Sequence, residues 1–335
     1  MKLSQLSGGL AKNYLKNIVK YKMGEEILLP YFATFYLTLR CNYACSFCDD
    51  GSAKQKYPDL KMDELNTEKT KKVLSILKNK CSSIYFTGGE PFLRKDLLDL
   101  CKFSKKIGFN PVSVNTNGFL LQKNLEVLDN IDNLVISLSS LDPVKYSKIV
   151  GRPISCFDIV MKNILIANSL KKKKGFEFVI NCVVTEDSLL DAENVMNFCF
   201  QNKINFAVVP AMVGVYPDKD LLNSKAYRLF IDKIIAKKKN GNPVFNSYKY
   251  LQIIKNFKNF SCQPSLTPHV YPDGSLFYPC QLLKSKVNLL EIGDYDKAIQ
   301  EGRRKFGGIP LCDNRCHLSC YIEPSLATKN PLNFL

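Results

Sequence analysis

The chain has 335 residues, 46% of them hydrophobic and 23% charged, with a formal net charge of +16. This is an ordinary globular composition, long enough to bury a full core as one large α/β domain with or without a small appendage. It contains no apolar run long enough to span a membrane, and Lys2, Lys12, Lys16 and Lys20 interrupt any signal-peptide core, so the sequence reads as cytoplasmic. The positive charge suits nucleic acid, anionic lipid, or phosphorylated and acidic substrates, and selects none of them.

In chain order, residues 1–30 form a basic, amphipathic stretch. Apolar, β-branched runs then begin at Phe32, Ser83, Pro111, Asn133, Phe176 and Asn205, and helix-period segments fill residues 63–80, 94–107, 119–130, 157–170 and 189–201, with Asp63 and Asp158 as capping residues. Strands that alternate with helices predict an α/β fold with a parallel sheet of one hand, either open or a partial barrel, whose ligand site lies at the carboxyl ends of the strands. The unusual residues sit there. A cysteine cluster follows the first strand, TGGEP (87–91) the second, NTNG (115–118) the third and SLSS (137–140) the fourth. The lysine run 171–174 precedes Gly175 and reads as a solvent-facing helix end, favourable against the helix dipole. After the helical KAYRLFIDKIIAKKK and a break at 240–243, the composition shifts to loops and turns, with a hairpin turned at Pro272-Asp273-Gly274.

The 13 cysteines are distributed unevenly. Cys81, Cys101, Cys156, Cys182 and Cys199 lie singly in apolar segments and read as small buried side chains. Cys41, Cys45 and Cys48 crowd one loop, while Cys262, Cys280, Cys312, Cys316 and Cys320 gather near the other end. In a reducing compartment clustered thiols bind metal or do redox work. Closed structural zinc sites use four protein ligands, commonly as two close pairs; three thiolates in one loop suit an iron–sulfur cubane with one iron left open.

Cys41-x3-Cys45-x2-Cys48 after the first strand, with GGEP after the second, resembles the radical S-adenosylmethionine superfamily over roughly residues 30–240. The resemblance implies a partial (β/α)6 TIM-like barrel over residues 31–245, and a [4Fe–4S] cluster held by Cys41, Cys45 and Cys48 whose open iron is chelated by S-adenosylmethionine. It further implies that Phe47 packs near the adenine, that Gly88, Gly89 and Glu90 line the methionine amino group, and that Asn117 and Ser137 lie near the ribose or carboxylate. Arg152 is then a candidate carboxylate partner. Reductive cleavage would give a 5′-deoxyadenosyl radical that abstracts hydrogen from, or adds to, a small-molecule, lipid or peptide substrate, with electrons from a donor such as flavodoxin or ferredoxin.

Residues 246–335 resemble the SPASM and twitch extensions that carry auxiliary iron–sulfur clusters, and five cysteines favour one further [4Fe–4S] cluster. The spacing departs from the usual extension, with five residues between Gly274 and Cys280 and three between Cys312 and Cys316, so all five remain candidate ligands. A zinc knuckle is the alternative. His317 reads as a surface histidine with a ligand role open, and His269 has no partner in view. The tail YPCQLLKS and CDNRCHLSCYIEPSLA is similar to hopanoid-biosynthesis radical enzymes, which implies a polyprenoid substrate and a peripheral membrane contact through the N-terminal helix, with packing against the barrel as the alternative. Two other classes stay open: a SPASM-type peptide-modifying radical enzyme, and a zinc-stabilised nucleic-acid-binding protein, which TGGEP on the cysteine rim and the lack of an aromatic-rich basic stretch disfavour.

Overall fold

The computed structural model describes residues 8–48, 64–214, 216–309 and 316–329. Helix α1 (Gly8–Lys22) leads into strand β1 (Phe32–Tyr36), and then strands and helices alternate: α2 (Thr67–Lys78), β2 (Ser83–Thr87), α3 (Leu97–Lys106), β3 (Val112–Thr116), β4 (Asn133–Ser137), α4 (Pro143–Val150), α5 (Ser155–Lys174), β5 (Glu177–Val184), α6 (Leu189–Gln201) and β6 (Asn205–Pro210). A short hairpin, β7 (Met212–Val213) and β8 (Tyr216–Pro217), precedes α7 (Lys219–Asn223), α8 (Lys225–Lys239) and α9 (Tyr248–Asn256). The chain continues through β9 (His269–Val270), β10 (Ser275–Phe277), β11 (Lys286–Asn288), α10 (Leu289–Ile292), α11 (Tyr295–Phe306) and α12 (Ser319–Lys329).

The main sheet has nine strands in the order β11-β10-β9-β1-β2-β3-β4-β5-β6. Strands β1 to β6 are all parallel, as the alternation of elements requires. The tail extends this sheet: β9 pairs parallel to β1, with Thr34 opposite His269, and β10 and β11 add antiparallel strands. Both cysteine-bearing segments are thereby tied to the two sides of β1.

Strand alternation separates two faces. Phe35, Phe86, Val114, Ile136, Ile180 and Phe206, each at most 1% exposed, pack with the helices in one core. Their neighbours on the other face, including Thr34, Tyr36, Thr87, Asn115, Val135 and Asn181, line a cavity of about 1160 Å³.

Most helices lie where periodicity places them, and α6 spans the expected residues. Several expectations need correction. Helix α2 starts at Thr67 and is capped by Asn66, whose side-chain oxygen accepts from Lys69 N at 2.9 Å; the expected cap Asp63 lies outside the described residues. Helix α5 starts at Ser155, so Asp158 sits inside its first turn, complementing the dipole. Residues 121–130 form 3₁₀ turns broken at Asn124 (φ −140°, ψ 35°), whose side-chain amide donates to Leu120 O at 2.9 Å and competes with the helical ladder. Helix α4 was not anticipated, although Asp142-Pro143 at its start and left-handed Gly151 at its end are ordinary stop and start signals. Among the described residues, the region after residue 243 carries four α-helices besides its loops. The scattered cysteines are all buried, and Lys171–Lys174 do close α5.

Asparagines and apolar contacts together fix the N-terminal helix, with Leu10 and Tyr14 packed against Leu28 and Tyr31. Asn17, wholly buried, donates to Leu29 O at 2.7 Å and accepts from Leu29 N at 2.8 Å, while Asn13 donates to Pro30 O and Lys80 O at 2.9 Å each. Tyr14 donates to Ala327 O in α12 at 3.1 Å. Replacement Asn17→Ala orphans the N–H and C=O of Leu29; a loss of about 2–4 kcal/mol is expected, read as a lower urea midpoint by circular dichroism.

Candidate functional site

The site is assembled from the strand ends. Beyond β1 the chain runs on beside the loop after β2: Gly89 N donates to Thr38 O and Glu90 N to Arg40 O, both at 2.8 Å. Backbone lies on backbone here. A Cβ on Gly88, at φ 140°, would stand 2.2 Å from Thr38 O, and one on Gly89 would stand 2.2 Å from Arg40 O. Both glycines are therefore required by close approach to the residues that introduce Cys41.

Glu90 is wholly buried. Its carboxylate accepts from Phe92 N at 3.0 Å, Thr116 Oγ1 at 2.8 Å and Asn117 N at 2.8 Å, which locks the end of β2 to the end of β3. Burial raises its pKa to about 7 against the opposing effect of these three donors. Asn117 in turn donates to Asn42 Oδ1 at 2.7 Å and reaches Cys41 Sγ at 3.9 Å. Arg94, with a nearly buried side chain, grips Asp96 with two nitrogens (2.8 and 2.6 Å) and donates to Leu37 O and Leu65 O at 3.1 Å. Arg40 makes a two-pronged pair with Glu64 at 2.9 and 3.0 Å. Neither arginine was singled out from the sequence, and the buried one lies only three residues beyond the GGEP motif.

Helix α4 carries the other side of the cysteine loop. Ala44 N donates to Val150 O and Ser46 N to Ile149 O, each at 2.9 Å, and a Cβ on Gly151 would meet Ala44 O at 2.9 Å. Tyr43 is buried between Phe119 and Tyr146, its hydroxyl 3.2 Å from that of Tyr146. Burial, then Cys48 and Cys41, push the Cys45 thiol up to about 12, so Cys45 sits within electrostatic reach of both. Phe47 and Cys48 form part of the cavity wall. Arg152 follows α4 with its Nε buried and unpartnered among the described residues. Ser137 ends β4, half-buried, opposite Asn181.

In the second cysteine set, Cys316, Cys262 and Cys280 lie within electrostatic reach of Cys320. Burial, then Cys316 and Cys262, and also Cys280, drive the Cys320 thiol far above its ordinary value. Cys312 lies outside the described residues. Between the two sets runs a polar chain: Tyr36 donates to Gln281 Oε1 at 2.8 Å, Gln281 N donates to the Tyr321 hydroxyl at 3.3 Å, and that hydroxyl meets His269 Nδ1 at 3.2 Å. His269 thus has a partner, and burial lowers its pKa to about 4. His317 is not on the surface; it is buried edge-on to Phe257 at 5.2 Å, with Phe260 at 6.3 Å.

The cavity joins the two sets, reaching Cys48 on one side and Cys320 on the other. Glu323, missed in the sequence, stands one helical turn from Cys320, lines the cavity and accepts from Ser247 N at 2.9 Å; burial raises its pKa. It is the carboxylate among the cavity-lining residues, and Thr34 Oγ1 and Asn115 Oδ1 on the same wall are buried without a partner among the described residues. These observations fit a bound cofactor and substrate: clustered thiols, an unpaired buried guanidinium nitrogen, and polar atoms facing an open volume. No three His, Cys, Asp or Glu side chains among the described residues are gathered so as to share one metal ion. Cubane thiolates bind separate irons and need no such crowding.

Comparison with known proteins agrees with this arrangement. The family model described as the radical SAM superfamily matches residues 35–199. A Saccharolobus solfataricus protein named probable GTP 3′,8-cyclase is 28% identical over 278 residues, covering 79% of this chain and 88% of that protein. A Sulfurisphaera tokodaii protein of the same name is 25% identical over 280 residues, covering 79% and 86%. Among solved structures, Streptococcus suis SuiB bound to S-adenosylmethionine superposes with a TM-score of 0.61 at 20% identity, over 86% of this chain and 69% of that one. The protein anSMEcpe with bound AdoMet gives 0.60 at 21%, over 83% and 78%, and such identities show a shared fold.

Two outcomes follow from the geometry. Gly89→Ala forces the loop from Arg40, and iron bound per chain after anaerobic reconstitution is expected to fall by half or more while circular dichroism stays native-like. The unfolded state binds a proton at His269 between pH 6.5 and about 4 that the folded state refuses, so stability is lost as pH falls through that window. Glu90 acts oppositely, since its raised pKa favours the folded state at low pH. Urea titrations of wild type and His269→Gln at several pH values should therefore show wild type losing stability faster on acidification below pH 6.5.

Proposed function

Because the chain belongs to the radical S-adenosylmethionine superfamily and is an enzyme of it, we propose that Cys41, Cys45 and Cys48 hold a [4Fe–4S] cluster beside S-adenosylmethionine. Four of the five cysteines Cys262, Cys280, Cys312, Cys316 and Cys320 hold a second. When reduced by a flavodoxin- or ferredoxin-like donor, the first cluster with its S-adenosylmethionine supplies a 5′-deoxyadenosyl radical. The residues do the rest. The Arg152 Nε–H is offered to the cofactor carboxylate, Phe47 to the adenine, and Asn117 holds the Cys41 loop in place. Gly88 and Gly89 act by letting the loops meet, and Ser137 stands at the same rim.

The observation that carries this reading is the cavity that touches Cys48 and Cys320 at once. A substrate there lies between the two cysteine sets. Its wall mixes aromatic rings with the polar side chains of Thr34, Asn115, Asn133 and Asn181. A bare polyprenoid chain offers no hydrogen-bonding group to Thr34, Asn115, Asn133 and Asn181. A molecule with hydrogen-bonding groups and an anionic end suits the wall better, given Lys284 beside the cavity, and a purine nucleotide is the substrate class favoured by the relatives named as GTP cyclases. Glu323 accepts a hydrogen bond from it. A peptide substrate is the second reading, favoured by exposed Val213, Tyr216, Phe245 and Leu283.

The test is anaerobic. About eight irons per chain are expected for two cubanes, with reductant-dependent 5′-deoxyadenosine. Cys45→Ala should remove about four irons and all of the 5′-deoxyadenosine, whereas Cys320→Ala should remove about four irons and leave cleavage of S-adenosylmethionine measurable. A zinc-loaded, colourless protein without 5′-deoxyadenosine would sink the proposal. Added GTP and candidate peptides, with products followed by mass spectrometry, separate the substrate readings.

A further inference from the structure

We propose that the outward face of helix α1 is a docking surface for an anionic lipid bilayer. Leu15 and Val19 on this face are 64% and 58% exposed, and Met23 just past the helix is 71% exposed. Spaced four residues apart, they form one stripe along the helix. Lys12, Lys16 and Lys22 stand exposed beside it, and the helix has no acidic residue. The nearest acids after the helix are already paired, Glu25 with Lys20 and Glu26 with Arg303.

The helix cannot turn this stripe inward. Its other face is fixed by the hydrogen bonds of Asn13, Tyr14 and Asn17 described above, and by packing of Leu10 and Tyr14 with Leu28 and Tyr31. An apolar stripe whose charged neighbours on the helix are lysines among the described residues matches the boundary of an anionic membrane, where apolar side chains enter the acyl edge and ammonium groups stay among the headgroups. A second copy of the same face is a poor occupant, because a symmetric contact brings Lys12, Lys16 and Lys22 towards their own counterparts. No helix among the described residues is long and apolar enough to cross a membrane, so the contact is one of lying on the surface. Leu10 and Tyr14, on the inner side of α1, line the cavity. One helix diameter, about 10 Å, therefore separates the cavity floor from the docking plane. The inference does not depend on which substrate the cavity takes.

Co-sedimentation of the full chain with vesicles tests it. Partitioning onto phosphatidylcholine vesicles containing about 30% phosphatidylserine should exceed that onto phosphatidylcholine alone by tenfold or more, and should weaken with added salt. The combined variant Leu15→Ser, Val19→Ser, Met23→Ser should lose about tenfold on the anionic vesicles with an unchanged circular dichroism spectrum. Lys12→Glu, Lys16→Glu, Lys22→Glu should lose the preference for anionic lipid. Leu165→Ser with Leu190→Ser, exposed apolar positions elsewhere, should bind as wild type does. Equal binding by wild type and the serine variant overturns the proposal, as does absence of partitioning onto anionic vesicles. A dimer in light scattering that the serine variant dissolves also overturns it, in favour of self-association.

Discussion

The close passage of Gly88 and Gly89 against the backbone of Thr38 to Arg40 is the constraint on which the rim depends. With Cβ positions 2.2 Å from carbonyl oxygens, no other residue type fits without moving one of the two loops. The contact does more than tolerate glycine. It lets the chain leaving β1 continue its ladder with the chain leaving β2 for three residues past the strand ends, through Leu37 N, Gly89 N and Glu90 N. The first cysteine is consequently delivered from an extended, hydrogen-bonded stem rather than from a free loop.

The stem is one of three supports for the cysteine loop; the second comes from the ends of β2 and β3 and the third from the end of helix α4. Glu90 fixes Asn117 through its backbone, and Asn117 reaches Asn42 and Cys41. The end of α4 receives Ala44 and Ser46 through backbone bonds. A carboxylate with three protein donors is well placed to hold two strand ends together, and its distance from water makes the arrangement stiff. In the GGEP sequence two residues thus permit the contact and the third locks the neighbouring strand.

The order of the main strands, the parallel sheet and the placement of the first cysteine loop at its rim were legible because strand periodicity and cysteine spacing are local signals. What escaped the sequence depends on distant partners. Helix α4 has only eight residues, too short for a strong apolar period, and its importance lies in what its last carbonyls receive. Arg94 reads as any surface arginine until Leu37, Leu65 and Asp96 surround it. His317 looks exposed beside Cys316, yet Phe257 and Phe260 bury it. His269 reads as solitary because its partner Tyr321 lies 52 residues away. Likewise nothing local announces that β9 joins β1, which makes the tail part of the sheet.

That joining decides how the two cysteine sets relate. Because β9 lies in register with β1, Tyr36 and His269 are neighbours on the cavity wall, with ring centroids 6.2 Å apart. Tyr36 bonds to the residue after Cys280, and His269 to the residue after Cys320. Movement of either tail cysteine must therefore strain a bond to the sheet that also carries Cys41. A neutral imidazole serves this purpose better than a charged one, since it can accept from a tyrosine hydroxyl in a dry site without the cost of burying a cation. The cavity between the sets is in this way bounded by groups whose positions share one strand pair, and Glu323, carried on the same helix as Cys320, is held to that frame. The two cysteine-bearing ends of the cavity therefore cannot drift apart independently.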